Sequence, residues 1–211
     1  GKVANQNLHS HNLNGRLDLV ILTHPNFLNE ANRLAAHRQQ HSNLNATVVT
    51  TTQVYNEFSS GAQDVTAIRD YMRMLYSRSA KSNGDVLYLL LVGDASYDYK
   101  NRLPGNTNFV PVYQSRQSLH PISSYSSEDY YGFLDEGEGE WIENISGDHL
   151  LDIGIGRLPV KTQLEAATVV DKIMAYDSPS HFGKWRSQVT FVADDGDNNE
   201  HQQDAEFLAE F

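Results

Sequence analysis

Acidic residues that could do chemistry follow directly after apolar runs of the sequence. Asp94 comes just after one such run, with Asp98 four residues later, and Asp194 and Asp195 follow another. A carboxylate in this position can orient a catalytic group or bind a cation, or it can accept hydrogen bonds from backbone N–H groups in a turn. The pattern leaves both roles open for each of these acids.

A second acidic pair, Glu128 and Asp129, stands among aromatic residues in a long irregular stretch. Calcium takes carboxylate and carbonyl oxygens from such loops, so the pair is a candidate cation site, and an exposed acidic turn is the alternative. An EF-hand is excluded for the later acidic stretch that starts at Asp195. The sixth loop position requires a glycine for its sharp turn, and Glu200 stands there.

The composition excludes several classes of protein. The 211 residues include no cysteine, so this chain alone cannot build a disulfide scaffold, a thiolate metal site or a cysteine nucleophile. The formal net charge of -11 disfavours a nucleic-acid partner, because binding phosphates relies on clustered Lys and Arg. No apolar run approaches the roughly 20 residues of a membrane span, and we expect none.

Strand and helix patterns alternate along the chain. The first five elements predict a βαβαβ arrangement, and regularity returns after an interruption. The expected strands are 17–22, 46–52, 86–92, 151–156 and 188–193, and the expected helices are 27–40, 65–76, the segment that follows Thr162, and 201–211. Asp64 is the expected N-cap of the second helix, and Leu164, Ala167, Val170 and Met174 are the expected apolar face of the third.

This alternation predicts an open, mostly parallel sheet with right-handed crossovers and a ligand site beyond the carboxyl ends of the strands. Residues 93–150 are too long for an ordinary connection in a compact domain. We expect this insertion to be functional or to carry small strands of its own, such as Val110–Tyr113.

Four segments taken together resemble one protein family. They are Leu89–Asp94, Glu128–Tyr131, Ile155–Val160 and Val192–Asp197. Their order and spacing resemble the gingipain-type cysteine peptidases, and among these the sortases of the type IX secretion system. The likeness runs from about residue 17 to the end of the chain.

The resemblance implies a fold and a division of the chain. The fold class is α/β, a caspase-like three-layer sandwich with a mostly parallel sheet. Residues 1–16 are then a linker, 17–177 the first subdomain, and 178–211 the start of the second subdomain. The family's catalytic His and Cys are expected beyond Phe211. The acid that supports the catalytic His in the family matches Asp195, or Asp194 if the local alignment shifts by one residue.

The resemblance also implies a cofactor, partners and a location. Calcium is the expected cofactor, with Glu128, Asp129, Asp94 and Asp98 as candidate ligands. The expected activity is that of an endopeptidase or transpeptidase that processes C-terminal sorting signals of secreted proteins. Other components of the secretion system are further expected partners. Such a protein is exported and lies in the periplasm or at the outer membrane and cell surface.

Two functions of other classes remain open. The cysteine-free composition is compatible with a non-catalytic α/β module that binds calcium or another protein. A flavodoxin-like receiver domain is a further alternative, because Asp94 stands at a strand end where such domains accept a phosphoryl group.

Overall fold

The computed structural model describes residues 5–8, 17–79, 88–115, 119–120, 124–136, 138, 150–194, 196 and 198–210. The chain forms two compact units, Gly1–Met174 and Ala175–Phe211. The division of the chain into linker and subdomains expected from the sequence stays a prediction. Among the described helices, none has the length and apolar character that crossing a bilayer requires.

A four-stranded parallel sheet forms the centre of the first unit. Its strands are β1 (Leu19–Thr23), β2 (Ala46–Thr50), β3 (Tyr88–Val92) and β6 (Gly154–Leu158), in the order β2-β1-β3-β6. All three pairs are parallel, and Ile21 lies between Val48 and Leu90. Every residue of β1 is buried, which explains the apolar run Leu19–Leu22 within it.

Helices cover both faces of this sheet. They are α1 (Leu28–Ser42), α2 (Thr51–Phe58), α3 (Val65–Ser79) and α4 (Gln163–Asp177). Successive side chains of β1 point to opposite faces, so Leu19 and Ile21 join one apolar cluster with α1 and α4, whereas Val20 and Leu22 join another with α2 and α3. The result is the three-layer α/β arrangement expected from the sequence.

Local capping signals explain where two helices begin. The carboxylate of Asp64 accepts a hydrogen bond of 2.8 Å from the N–H of Thr66, which confirms the predicted N-cap of α3. Helix α2 was not expected. It begins with a capping box in which Thr50 accepts from the N–H of Gln53 at 3.2 Å and Gln53 accepts from the N–H of Thr50 at 2.9 Å.

The long insertion carries two short strands, but of the suggested strand Val110–Tyr113 only Tyr113 belongs to one. Strands β4 (Tyr113–Gln114) and β5 (Ser126–Ser127) pair antiparallel, and a 3₁₀ turn follows at Asp129–Gly132. The side chain of Tyr131 is fully buried, and its hydroxyl donates a hydrogen bond of 2.6 Å to the carbonyl of Pro111. This bond links the segment just before β4 to the 3₁₀ turn that follows β5.

The expected apolar face of α4 is correct at Val170 and wrong at Leu164, and the strand expected at 188–193 is wrong. Leu164 is 77% exposed, and the buried positions of α4 are Ala166 and Val170. Residues 188–193 do not form the expected strand, and Val192 within them is 92% exposed. Its β-branched sequence favours a strand, but a strand also requires a neighbour, and none of the described residues pairs with it.

The second unit contains a helix, α5 (Glu200–Ala209), preceded by two 3₁₀ turns. The guanidinium of Arg186 lies 4.0 Å from the ring of Tyr176 and 4.1 Å from the ring of Phe182.

In the part of the expected linker that the structure describes, Leu8 is buried and its N–H donates to the carboxylate of Glu57 at 3.1 Å.

Candidate functional site

The carboxyl edge of the sheet is where the sequence places its candidate site. Parallel strands all end at this edge, where irregular segments follow β1, β3 and β6 and helix α2 follows β2 directly. The N–H of His24, just after β1, donates to the carbonyl of Val92 at the end of β3. The N–H of Asp94 donates to the carbonyl of Val160 beyond β6 at 3.0 Å. Backbone hydrogen bonds therefore hold these three strand ends together.

Gly93 forms the tight turn at the end of β3. Its φ of +140° is a conformation that side-chain-bearing residues rarely adopt. A Cβ added there would lie 3.0 Å from side-chain atoms of both Phe109 and Val110. The glycine is therefore required by backbone conformation and by packing together.

Asp94 is a fixed, half-buried carboxylate. Its Oδ2 accepts a hydrogen bond of 2.5 Å from the hydroxyl of Thr107 and lies 3.5 Å from the ammonium of Lys161. Its backbone carbonyl accepts from the N–H groups of Phe109 and Val110. In the structure, Asp94 therefore closes the loop 95–108 onto the end of β3.

Asp98 stabilises the interior of the same loop. Its carboxylate accepts a hydrogen bond of 2.7 Å from the N–H of Leu103, and its carbonyl accepts one of 2.7 Å from the amide of Asn106. These are the bonds of the turn-forming role that the sequence left open.

Glu128 is paired with an arginine of the sheet. Arg157 of β6 donates from Nε and Nη2 to the two oxygens of Glu128, at 2.6 and 3.0 Å. The same guanidinium donates to the carbonyls of Gly93 at 2.6 Å, Val110 at 2.8 Å and Pro111 at 3.2 Å. The side chain of Arg157 is only 11% exposed. It ties β6, the turn after β3 and the insertion into one rigid corner.

The four candidate calcium ligands are not arranged to bind one calcium ion together. Both oxygens of Glu128 face Arg157, and the carboxylates of Asp94 and Asp98 accept hydrogen bonds from the protein. In the described part of the chain, no three of these acids bring oxygens within 4.8 Å of one another. Asp129 is exposed, and its N–H donates to the hydroxyl of Ser127. Calcium binding, with Asp129 as the most accessible ligand, stays a prediction.

His24 is a residue of this edge that the sequence did not single out. Its Nδ1 accepts a hydrogen bond of 3.2 Å from the N–H of Asn26, so in the neutral ring the proton lies on Nε2. The ring packs against Phe109 at 4.9 Å between centroids and against Phe27 at 6.1 Å. Burial lowers the pKa of His24, which favours the neutral imidazole.

The candidate acids of the second unit are described only in part. Asp195 lies outside the described residues. Asp194 is exposed, and its Oδ1 lies 2.9 Å from Nδ1 of His201 in the first turn of α5. The structure thus shows that this carboxylate can hold an imidazole through Nδ1. That Asp195 or Asp194 supports a catalytic histidine stays a prediction.

Arg157 is the most important residue that the sequence reading missed. Arg157 lies within the segment Ile155–Val160, and a single cation inside an apolar strand usually needs a buried acid or several carbonyl groups as partners. That rule could have paired it with one of the acids of the insertion. No such signal pointed to the role of Thr107 beside Asp94.

Comparisons with known proteins agree with this architecture. The chain matches a crystal structure of dimeric latent PorU from Porphyromonas gingivalis at 31% identity and a TM-score of 0.71, over 95% of this chain and 19% of that one. It therefore spans about a fifth of the length of that chain.

A second solved structure, of a protease, shares the fold at 13% identity and a TM-score of 0.53, covering 81% of this chain and 31% of the other. No curated protein matches the chain. The family model of peptidase family C25 matches residues 12–211. The chain belongs to peptidase family C25, the gingipain family of cysteine peptidases.

Proposed function

We propose that these 211 residues are the scaffold side of a gingipain-like cysteine endopeptidase or transpeptidase, whose catalytic His and Cys come from polypeptide outside them. The observation that carries the proposal is the family match over residues 12–211 in a chain without any cysteine. A cysteine peptidase needs a thiolate beside an imidazole, and a third group can orient that imidazole. Asp195 or Asp194 is the orienting carboxylate in this proposal.

The carboxyl edge of the sheet is the wall on which the substrate lies. The corner built by Arg157 and Glu128 holds the turn at Gly93 in place, so the edge is rigid before a substrate arrives. Rigid positioning lowers the barrier of a reaction because less freedom is lost when the reacting groups meet.

The substrates in this proposal are secreted proteins with C-terminal sorting signals, and other secretion-system components are its partners. The protein is then exported to the periplasm or the cell surface. The 31% identity to PorU over 95% of the chain supports this narrower proposal. Calcium, bound through Asp129, is a structural cofactor in the proposal.

The test uses the gene product that contains these residues. It is incubated with a reporter protein that carries a C-terminal sorting signal, with and without an added amine nucleophile, and the products are identified by mass spectrometry. We expect cleavage that a thiol-reactive reagent abolishes. If the enzyme is a transpeptidase, the cleaved reporter should also form an amide with the added amine. An uncleaved reporter, together with no labelling by a thiol-reactive peptide inhibitor, would refute the proposal and favour the non-catalytic module.

A further inference from the structure

Two histidines lie one turn apart on helix α1. His37 and His41 are four positions apart in the sequence, so the helix places both side chains on the same face. Their rings are stacked, with 5.3 Å between the centroids and 12° between the ring planes. His37 is partly exposed and His41 is exposed, so dissolved ions can reach both rings.

The spacing of the two rings suits one metal ion. A ring nitrogen of His37 and a ring nitrogen of His41 lie within 4.8 Å of each other. Two nitrogens bound to one tetrahedral Zn²⁺, each about 2.0–2.1 Å from it, are about 3.3 Å apart. A shift of at most about 1.5 Å therefore completes the chelate, and rotation about the side-chain bonds of two accessible rings can supply it.

The same spacing of histidines binds zinc in the HExxH motif of zinc peptidases, where both rings lie on one face of a helix. In that motif a glutamate follows the first histidine and acts as the general base. Arg38 stands at this position here. The segment can therefore hold an ion, but it lacks the base that would make it a catalytic zinc site.

The surroundings of His41 favour one of its nitrogens as a metal ligand. Nδ1 of His41 lies 3.4 Å from the hydroxyl of Ser42. When Nδ1–H donates to this hydroxyl, the lone pair of the neutral ring lies on Nε2. Histidines that bind metals usually make such a bond through their other nitrogen, because it fixes the tautomer and the ring orientation. Ser42 therefore positions His41 to bind an ion through Nε2.

The charge around the pair also favours a cation. His41 lies in the last turn of α1, where the carbonyl groups that end a helix carry partial negative charge. The net charge of -11 attracts cations to the surface of the chain. Arg33, one turn before His37, is paired with Glu30 at 2.5 Å and with Asp171 at 2.6 Å. Arg38 projects about 100° around the helix axis from His37.

We propose that His37 and His41 form a surface site for a divalent transition-metal ion that prefers imidazole ligands, such as Zn²⁺, with water in the remaining coordination positions. The bound ion bridges one turn at the C-terminal end of α1 and stabilises that end of the helix. The site belongs to the first unit and needs no catalytic Cys or His. Its failure would therefore leave the proposed peptidase function untouched.

The first experiment is isothermal titration calorimetry of the 211-residue chain with zinc chloride, after treatment with a chelator. We expect one ion to bind per chain in the micromolar range. His37→Gln and His41→Gln should each weaken binding at least about tenfold, because the chelate loses one of its two ligands. The control, His120→Gln, removes an exposed histidine of the insertion and should leave the affinity unchanged. Equal affinity in all four proteins would overturn the proposal.

A second variant keeps the number of histidines and changes only their spacing. His37→Gln combined with Gln40→His leaves two adjacent histidines, and adjacent residues of a helix do not face each other. Both positions lie within α1, and Gln40 is exposed. This double variant should bind zinc as weakly as His37→Gln alone. Binding as tight as that of the unmodified chain would contradict chelation by the pair.

Two further measurements report on the ligands and on the helix. Cu²⁺ serves as a spectroscopic probe, and its electron paramagnetic resonance spectrum should show coupling to two imidazole nitrogens, reduced to one in His41→Gln. Zinc should raise the melting temperature of the unmodified chain more than that of His41→Gln, because an ion that binds the folded state stabilises it. A copper spectrum without nitrogen coupling, or an equal effect of zinc on both melting temperatures, would overturn the proposal.

Discussion

Replacing Arg157 by Met tests whether the corner beside Gly93 holds the sheet edge together. The guanidinium makes five hydrogen bonds, two to Glu128 and three to backbone carbonyls. Methionine fills much of the space but leaves a carboxylate without its counter-charge. Breaking a buried pair in this way costs about 3–5 kcal/mol. Because the side chain of Glu128 is 28% exposed, water can solvate it in part, so we expect the lower end, about 3 kcal/mol.

The assay is urea unfolding followed by circular dichroism, together with thermal melting. A loss of about 3 kcal/mol corresponds to a drop of roughly 6–12 °C in the melting temperature for a chain of this size. The control is Arg33→Met, because Arg33 pairs with Glu30 at 2.5 Å and Asp171 at 2.6 Å but is 43% exposed. Exposed pairs of this kind contribute little. If Arg157→Met and Arg33→Met lower the free energy of unfolding by the same amount, burial and the carbonyl contacts do not make Arg157 more stabilising than an exposed arginine, and the reasoning is wrong.

Four further predictions concern single residues. Gly93→Ala should lower the free energy of unfolding by about 2–3 kcal/mol, because of the backbone conformation and the contacts at 3.0 Å. Gly105 has a φ of +75° but open space around it, so Gly105→Ala should lower it by about 1 kcal/mol. Chemical unfolding compares the two variants. Burial lowers the pKa of His24 in the folded chain, so its contribution to stability is present above the unfolded-state pKa of about 6.5 and is lost as the pH falls below that value. His24→Gln should therefore reduce the fall in melting temperature as the pH is lowered. Burial raises the pKa of Tyr131, so stability should fall as the pH rises above about 10, and Tyr131→Phe should reduce that slope; an unchanged slope would contradict it. Calorimetry at millimolar calcium should show binding that Asp129→Ala abolishes, and no heat from the unmodified chain would remove the calcium proposal for these residues.

The order of strands and helices could be predicted because local patterns and burial agree. Apolar runs without alternation indicated the buried parallel strands, and the N-cap at Asp64 was readable from one residue type before a helical stripe. Helix α2 was missed for a local reason. Thr51 and Thr52 favour a strand by propensity, but the reciprocal bonds between Thr50 and Gln53 begin a helix one residue after β2 ends.

The site could be predicted only in outline. The position of Asp94 at a strand end was readable, but its partners Thr107 and Lys161 come from a loop and from beyond another strand. Long-range contacts of this kind leave no periodic signal in the sequence. Pairing of Glu128 with Arg157 was missed for the same reason, since 29 residues separate them. Residues 188–193 show the opposite case, in which strong strand propensity is not enough without a neighbouring strand.

The most direct test of the central claim is mass spectrometry of the gene product that contains these residues, after reaction with a thiol-reactive inhibitor shaped like a sorting-signal peptide. We predict one labelled cysteine, located outside residues 1–211, with cleavage of the reporter protein lost in proportion to labelling. Asp195→Asn or Asp194→Asn should slow that labelling. Full cleavage by a product whose cysteines have all been replaced by alanine would contradict the account.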